Sequence, residues 1–519
     1  MSLARCHSVT LLGVDARLVE VEVHLGGMPG FVLVGLPDTS LQEARDRVRA
    51  AVLSSAESWP QERITANLSP ASLPKHGTHF DLALAVTVLA AAGSVPAEAL
   101  GDRVLVGELG LDGRVRAVPG VLPAVAGAVA AGLPRVVVPA ANAAEASLVP
   151  GAQVTPAVSL SSLLALLRGQ DVDEPGTAAE AAPRVVHPGR SVLSAPDGDL
   201  RDVVGQPLAR RLVEVAAAGG HHLLLTGPPG SGKTMLARRL PGLLPDLDLP
   251  AALEVSAVHS VAGLLAPEDP LVRVPPFVDP HHTCSSSALV GGGSGLARPG
   301  AVSLAHHGVL LLDEAPEFNR TALEALRQPL ERGEVLITRT RGTGRFPARF
   351  QLIVTANPCP CGFAGSLVHP CRCTPDTVRR YQQRLSGPLL DRIDLHGVVG
   401  PVSHAAMAAD DEHRDASPRV RERVHDARER QRRRFADLPW STNAGARPEV
   451  LRHRWPLPTS STAPLAGAVG TGRLSARAAD RLVKVAWTLA DLAGAGVPTV
   501  KHVREAMAYH RGGSPGAVA

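Results

Sequence analysis

Aromatic residues make up only 3 % of the 519-residue sequence. Aliphatic and small side chains must therefore fill its cores. Cysteine is sparse as well, with six in the whole chain, which excludes a disulfide-built scaffold. No apolar run is long enough to span a bilayer. The longest, near Leu82 to Ala92, falls short of the ~20 residues required. Residues 1 to 25 lack a secretory apolar core, and from Val19 to Val23 they alternate valine with glutamate as a strand does. Net charge is small, at +4, so bulk electrostatics name no nucleic-acid partner and local patches must be judged instead. These absences point to a cytoplasmic protein with no membrane partner.

Against them stand an apolar fraction of 45 % and a length that suggests roughly three domains. The most informative stretch is Leu223-Leu-Leu-Thr followed by Gly227-Pro228-Pro229-Gly230-Ser231-Gly232-Lys233-Thr234. This is the G-x-x-x-x-G-K-[ST] pattern between an apolar strand and a helix. Glycine lets the loop curl until backbone N–H groups converge on one anion. Lys233 is suited to neutralise β- and γ-phosphate charge, and the Thr234 hydroxyl to hold Mg²⁺. The stretch predicts an ATP site.

A second apolar strand, Gly308 to Leu312, ends in Asp313 and Glu314. Asp313 suits the Mg²⁺ shell, and Glu314 suits activation of the attacking water. A third strand, Gln351 to Ala356, ends in Asn357, placed to touch that water or the γ-phosphate. Arg392 lies in a short apolar element, Leu389 to Leu395. It is either a finger reaching a neighbouring subunit's site or half of a surface pair with Asp391 or Asp394.

The chain divides into residues 1–168, a Pro/Gly/Ala-rich linker at 169–200, a nucleotide core at 201–400 and a helical unit at 401–519. The first unit reads as mixed α/β. Asp38 or Ser40 is a candidate cap for a helix running through Val52. Segments Pro74 to Leu82, Gly107 to Val115 and Val118 to Leu122 resemble the proteolytic domain of Lon proteases. Matching the motifs puts His79 where that family has its serine nucleophile and Leu122 where it has its lysine base. Neither can do the other's chemistry, so the resemblance implies a peptidase-inactive domain. His76 and His79 read as a hydrogen-bonded or solvated pair before metal ligands.

Residues 227–234, Asp313, Glu314, Asn357 and Arg392 resemble Walker A, Walker B, sensor 1 and the arginine finger of AAA+ ATPases. Arg298-Pro-Gly-Ala-Val-Ser-Leu-Ala-His-His-Gly resembles the magnesium-chelatase-like branch. With the Lon-like unit and Asn357-Pro-Cys-Pro-Cys-Gly, it points to the ComM/YifB family. That resemblance implies a hexameric ring of identical chains that drives branch migration of DNA. It also places a helix-2 insertion at about 276–304 and a pre-sensor-1 hairpin at about 333–350, both facing a central pore. Arg339, Arg341 and Arg345 flank that hairpin's glycines, as phosphate contacts or as ordinary solvated charge. The rival class is a chelatase motor subunit inserting magnesium or cobalt into a tetrapyrrole, but no Asp-x-Ser-x-Ser signature is present.

Cys359, Cys361, Cys371 and Cys373 cluster as two C-x-C pairs. Four thiols suit a structural Zn²⁺ or pack as reduced side chains. In the last unit, Arg414 to Arg434 reads as an exposed, salt-bridge-laced helix with a purely basic end at Arg430 to Arg434. Leu474 to Ala490 is amphipathic, with Ser475 as cap. The resemblance assigns Arg477, in its first turn, to sensor 2 of a helical lid.

Overall fold

The computed structural model describes residues 2–170, 198–293, 297–339, 342–366, 369–402 and 414–510, apart from residues 37, 39, 40 and 42. Most of the linker expected at 169–200 lies outside these residues, as do Ser40, Arg341 and the segment from Gly512 onward.

The N-terminal unit is built on a seven-stranded sheet. Its strand order is Gly30–Val34, Arg63–Ser69, Asp15–Leu25, Ser2–Leu12, Arg103–Leu105, Arg135–Pro139, Gln153–Ala157. The alternation read at Val19 to Val23 belongs to the longer strand Asp15–Leu25, whose Val19, Val21, Val23 and Leu25 are buried. That strand runs antiparallel to Ser2–Leu12. Ser2–Leu12 has a weak sequence signal because Ser8 and Thr10 are buried polar residues in it. Its other edge pairs in parallel with Arg103–Leu105, so it joins the two halves of the sheet. Helix Asp81–Ala91 is buried at every position, which explains why it shows no polar face in sequence. Asp38 accepts from the Leu41 N–H (2.9 Å), and the following helix is described from Ala44 to Ser54.

The second unit carries a five-stranded sheet ordered Phe277–Val278, Val309–Leu312, Gln351–Ala356, Leu223–Thr226, Leu395–Val398. Every neighbouring pair is parallel. Val309–Leu312 and Gln351–Ala356 are buried throughout, as a parallel sheet covered on both faces requires. The strand after the glycine-rich loop's own strand lies elsewhere in the sheet, so the loop emerges between Gln351–Ala356 and Leu395–Val398. Carboxyl edges at such order reversals are where α/β sheets bind ligands.

The C-terminal helices Ser417–Arg434, Ala476–Leu492 and Val500–His510 pack on helix Pro207–Gly219 in one continuous core. Ser475 caps its helix through the Ala478 N–H (3.1 Å), and Ala478, Leu482, Val485, Ala486 and Leu489 are buried. The basic helix corrects the expectation of an exposed element. Val420, Val424, Ala427 and Gln431 are buried, and Arg428 donates twice to the Ala217 carbonyl (3.0 and 2.6 Å). Its basic end is internally committed too. Arg432 and Arg433 pair with Glu429, while Arg434 pairs with Asp491 and lies 4.2 Å over the Trp487 ring. Arg428, Arg430 and Arg434 thus tie the helix to its neighbours, whereas Arg432 and Arg433 pair within the helix and stay exposed.

Among the described residues, two contacts fasten the N-terminal unit to the second unit. Helix Leu249–Val261 inserts Leu253 and Ala257 against the N-terminal core, and the Gly120 N–H donates to Ser260 (3.0 Å). The second is the hairpin Glu334–Arg339/Gly342–Pro347. There the Val14 N–H donates to the Arg345 carbonyl (3.0 Å), and the Arg345 guanidinium grips Asp15 through two hydrogen bonds of 3.0 and 2.6 Å.

Candidate nucleotide-binding site

The loop 227–232 leaves strand Leu223–Thr226 and enters helix Lys233–Arg239. Gly227 has no alternative there, because a Cβ would collide with the carbonyl oxygen of Val399, which follows the neighbouring strand Leu395–Val398. Lys233 folds back over the loop. Its Nζ donates to the carbonyls of Gly227 and Pro228 (2.8 Å each) and to Asn357 Oδ1 (3.0 Å). Burial lowers its pKa, with Asp313 and Glu314 opposing. The ammonium therefore has carbonyl partners that an incoming phosphate, a stronger acceptor, can displace.

The second half of the site is a hydroxyl–carboxylate relay. Thr234 Oγ1 donates to Asp313 (2.9 and 3.1 Å to its two oxygens), and Thr355 Oγ1 donates to the same carboxylate (2.5 Å). Thr355 also accepts from the Glu314 N–H (2.9 Å). Glu314 itself has φ 52°, ψ 46°, a left-handed conformation that costs a non-glycine residue about 1–3 kcal/mol. The Thr355 bond offsets part of that cost and holds the Glu314 backbone in this turn, directly after Asp313. Thr355 was not singled out by sequence. The signal was there: a hydroxyl two residues before Asn357, directly after the apolar run Leu352 to Val354. Thr234 and Asp313 together present the oxygen ligands that Mg²⁺ takes.

The other expected residues fall in different places. Arg392 lies in the turn after helix Gly387–Leu390, a quarter exposed. Its partners are Glu331 (3.0 Å) and the Pro388 carbonyl (2.6 Å). The Asp391 or Asp394 pairing is thereby corrected: Asp394 is buried and bound to His221 Nδ1 (3.0 Å). Arg477 is exposed in the first turn of its helix. The arginine one turn further, Arg481, donates to the carbonyls of Asp391 and Ile393 and so ties the C-terminal helices to the segment carrying Arg392.

Arg339 pairs with Gly342 at the end of the described hairpin, close to Gly292 of the 276–304 segment. Arg341 lies outside the described residues. Arg345 corrects the expectation of three tip arginines, because it stands in the stem opposite Leu336 and is held by Asp15. His306 and His307 of the chelatase-like motif sit at the far end of strand Val309–Leu312. Both place Nε2 on Glu254 (2.9 and 3.0 Å). His306 Nδ1 accepts from the Arg349 N–H (3.1 Å), so its Nε2 carries the proton and clamps helix Leu249–Val261. In the N-terminal unit His79 Nε2 meets the Val9 carbonyl (2.7 Å), and Leu122 is buried with its N–H on Glu145 (2.9 Å).

The four clustered cysteines converge just beyond Asn357. Cys359, Cys361 and Cys371 stand 3.3 to 3.8 Å apart sulfur to sulfur. All four sulfurs lie within 4.8 Å of one another.

Fold and site together define a P-loop α/β protein with an appended helical unit. Models described as magnesium chelatase subunit ChlI match residues 199–407 and 19–142, and one described as its C-terminal part matches 414–510. YifB of Escherichia coli is 42 % identical over 511 residues, 98 % of this chain and 97 % of the relative. The competence protein ComM of Haemophilus influenzae is 42 % identical over 512 residues, with the same coverage. An uncharacterized protein of Mycobacterium tuberculosis is 50 % identical over 515 residues, 99 % of this chain and 100 % of the relative. The chain belongs to the ComM/YifB family of magnesium-chelatase-like proteins. Among the described residues, no helix is long and apolar enough to cross a membrane.

Proposed function

We propose that this chain is a cytoplasmic ATPase of the AAA+ type that assembles into a ring, six-membered by family likeness, and moves DNA. One observation carries the ATPase reading: Lys233 and Asn357 on one side, and Thr234, Asp313, Thr355 and Glu314 on the other, converge on one loop. In this reading residues 227–233 cradle the triphosphate, and Thr234 with Asp313 holds Mg²⁺. Glu314 takes a proton from the attacking water, which Asn357 orients. Arg392 supplies charge to the γ-phosphate of the adjoining copy, with Arg477 as sensor 2. Arg392 is a quarter exposed, and its partners among the described residues are Glu331, itself exposed, and the Pro388 carbonyl; this supports an outward role.

The DNA reading draws on ComM, whose name ties it to competence. It assigns this chain branch migration during recombination of transforming DNA, with Arg339 and Arg341 touching the backbone in the pore. The N-terminal unit is read as a Lon-like fold without peptidase chemistry, since His79 and Leu122 are engaged structurally.

A chelatase-type motor, inserting magnesium or cobalt, is the second reading, favoured by the descriptions of the matching models. ATPase assays with four-way junctions, duplex DNA, and tetrapyrrole plus candidate chelatase subunits separate the two. Stimulation by junction DNA is expected. Stimulation only by tetrapyrrole plus chelatase subunits overturns the DNA reading.

A further inference from the structure

The cysteine cluster has the dimensions of a metal site. A Zn–S bond of about 2.3 Å in a tetrahedron puts its sulfurs about 3.8 Å apart. The observed separations of 3.3, 3.6 and 3.8 Å fit that edge, with Cys373 supplying the fourth corner. A multi-iron cluster has volume of its own and would hold the sulfurs farther apart. The sulfurs are also surrounded by donors. The Ala364 N–H donates to Cys359 Sγ (3.3 Å), and the backbone N–H groups of Phe363 and Arg372 point at Cys361. Such donors stabilise thiolate charge around a metal.

The loop closed by these cysteines touches the nucleotide site twice. Gly362, at φ 82°, lies so close to Pro229 that a Cβ would strike the proline ring. Two residues before Cys359, Asn357 receives the hydrogen bond from Lys233 (3.0 Å).

We propose that Cys359, Cys361, Cys371 and Cys373 bind one Zn²⁺ as thiolates, and that this metal-closed loop braces the glycine-rich loop through Gly362 on Pro229 and Asn357 on Lys233. The four thiols release their protons as the ion binds. Only the bracing half rests on the nucleotide-site reading.

The test uses full-length protein purified without added metal. Elemental analysis is expected to give one zinc per chain, lost in the C371S/C373S variant, whose altered residues sit at the outer side of the cluster. Cobalt loading of the stripped protein is expected to give the intense thiolate charge-transfer absorption of a tetrahedral sulfur site. Iron in place of zinc, or four thiols freely reactive in the native protein, overturns the site. Hydrogen exchange then tests the bracing without any nucleotide. Zinc removal is expected to raise exchange in residues 227–233 as well as 357–374. Faster exchange confined to 357–374 overturns the bracing and leaves the ATPase reading untouched.

Discussion

The pocket at the edge of the P-loop sheet and the core of the N-terminal unit both confine ionisable side chains, but they treat them differently. In the pocket, each charge is held by groups that a ligand can replace. Lys233 rests on carbonyls, and Asp313 accepts two hydroxyls. In the N-terminal unit the charges are consumed by the fold. Asp81 is buried at a helix start, gripped by Arg47 at 2.8 and 3.1 Å, and burial still pushes its pKa up to about 6. His79 is fixed on a backbone carbonyl, and burial pulls its pKa down to about 4. A confined charge becomes chemistry only where its partners are exchangeable.

The largest expected effects lie in the pocket. Arg392→Ala should slow ATP hydrolysis by ~10³–10⁵ with nucleotide binding nearly intact, measured by steady-state hydrolysis and a fluorescent ATP analogue. Glu314→Gln should cost ~10²–10⁴ in turnover while retaining ATP, whereas Lys233→Ala should lose ATP binding itself. Equal loss of binding in both would break the division of labour. Thr355→Val should destabilise the fold by about 1 kcal/mol, since it removes the bonds from the buried Thr355 hydroxyl to the Glu314 N–H and Asp313, and should slow hydrolysis as Glu314 leaves its left-handed position. Unchanged hydrolysis in a folded Thr355→Val protein would remove the relay.

In the N-terminal unit the expected effect is on stability alone. The folded pKa of His79 lies below its ordinary 6.5, so the folded state refuses a proton that the unfolded chain takes up. That contribution is complete above pH 6.5 and is lost as the pH falls toward about 4. Its ceiling is ~3 kcal/mol, reduced by the partial exposure of the ring. Denaturant melts between pH 7.5 and 4.5 should show a shallower pH slope in His79→Asn, by up to one proton. His306, also pulled to about 4 by burial, keeps part of the slope in both proteins. Peptidase activity that vanished in His79→Asn would erase the contrast between the two regions.

The smallest effects separate the hairpin arginines. Arg339→Ala should lower the salt slope of DNA binding by about one. Arg345→Ala should leave that slope unchanged and loosen the Asp15 contact, worth ~0–1 kcal/mol at this exposed position.

The glycine-rich loop and the paired carboxylates were legible in sequence because fixed spacing and apolar strands mark them. Asn357 was legible for the same reason. Thr355 was not, since a lone threonine in a strand is ordinary until its partners at Asp313 and Glu314 are seen. Arg345 was misplaced because a hairpin's register cannot be read from glycines alone, and its partner Asp15 lies 330 residues away. The arginine-rich helix misled for a related reason. Its buried positions are Val420, Val424, Ala427 and Gln431, and only two of them are strongly apolar. Charge density hid a packed face whose arginines find distant partners, such as Glu214 and Asp491. Ser2–Leu12 was missed because its buried face includes serine and threonine.

The central claim is that one copy supplies Glu314 and the next supplies Arg392 to the same ATP. Mixing Arg392→Ala chains with Glu314→Gln chains tests it directly, because neither variant hydrolyses ATP alone. Mixed assemblies should regain hydrolysis, since intact Glu314 sites then meet intact Arg392 neighbours. A mixture that forms assemblies yet stays as inactive as its components would contradict the shared site.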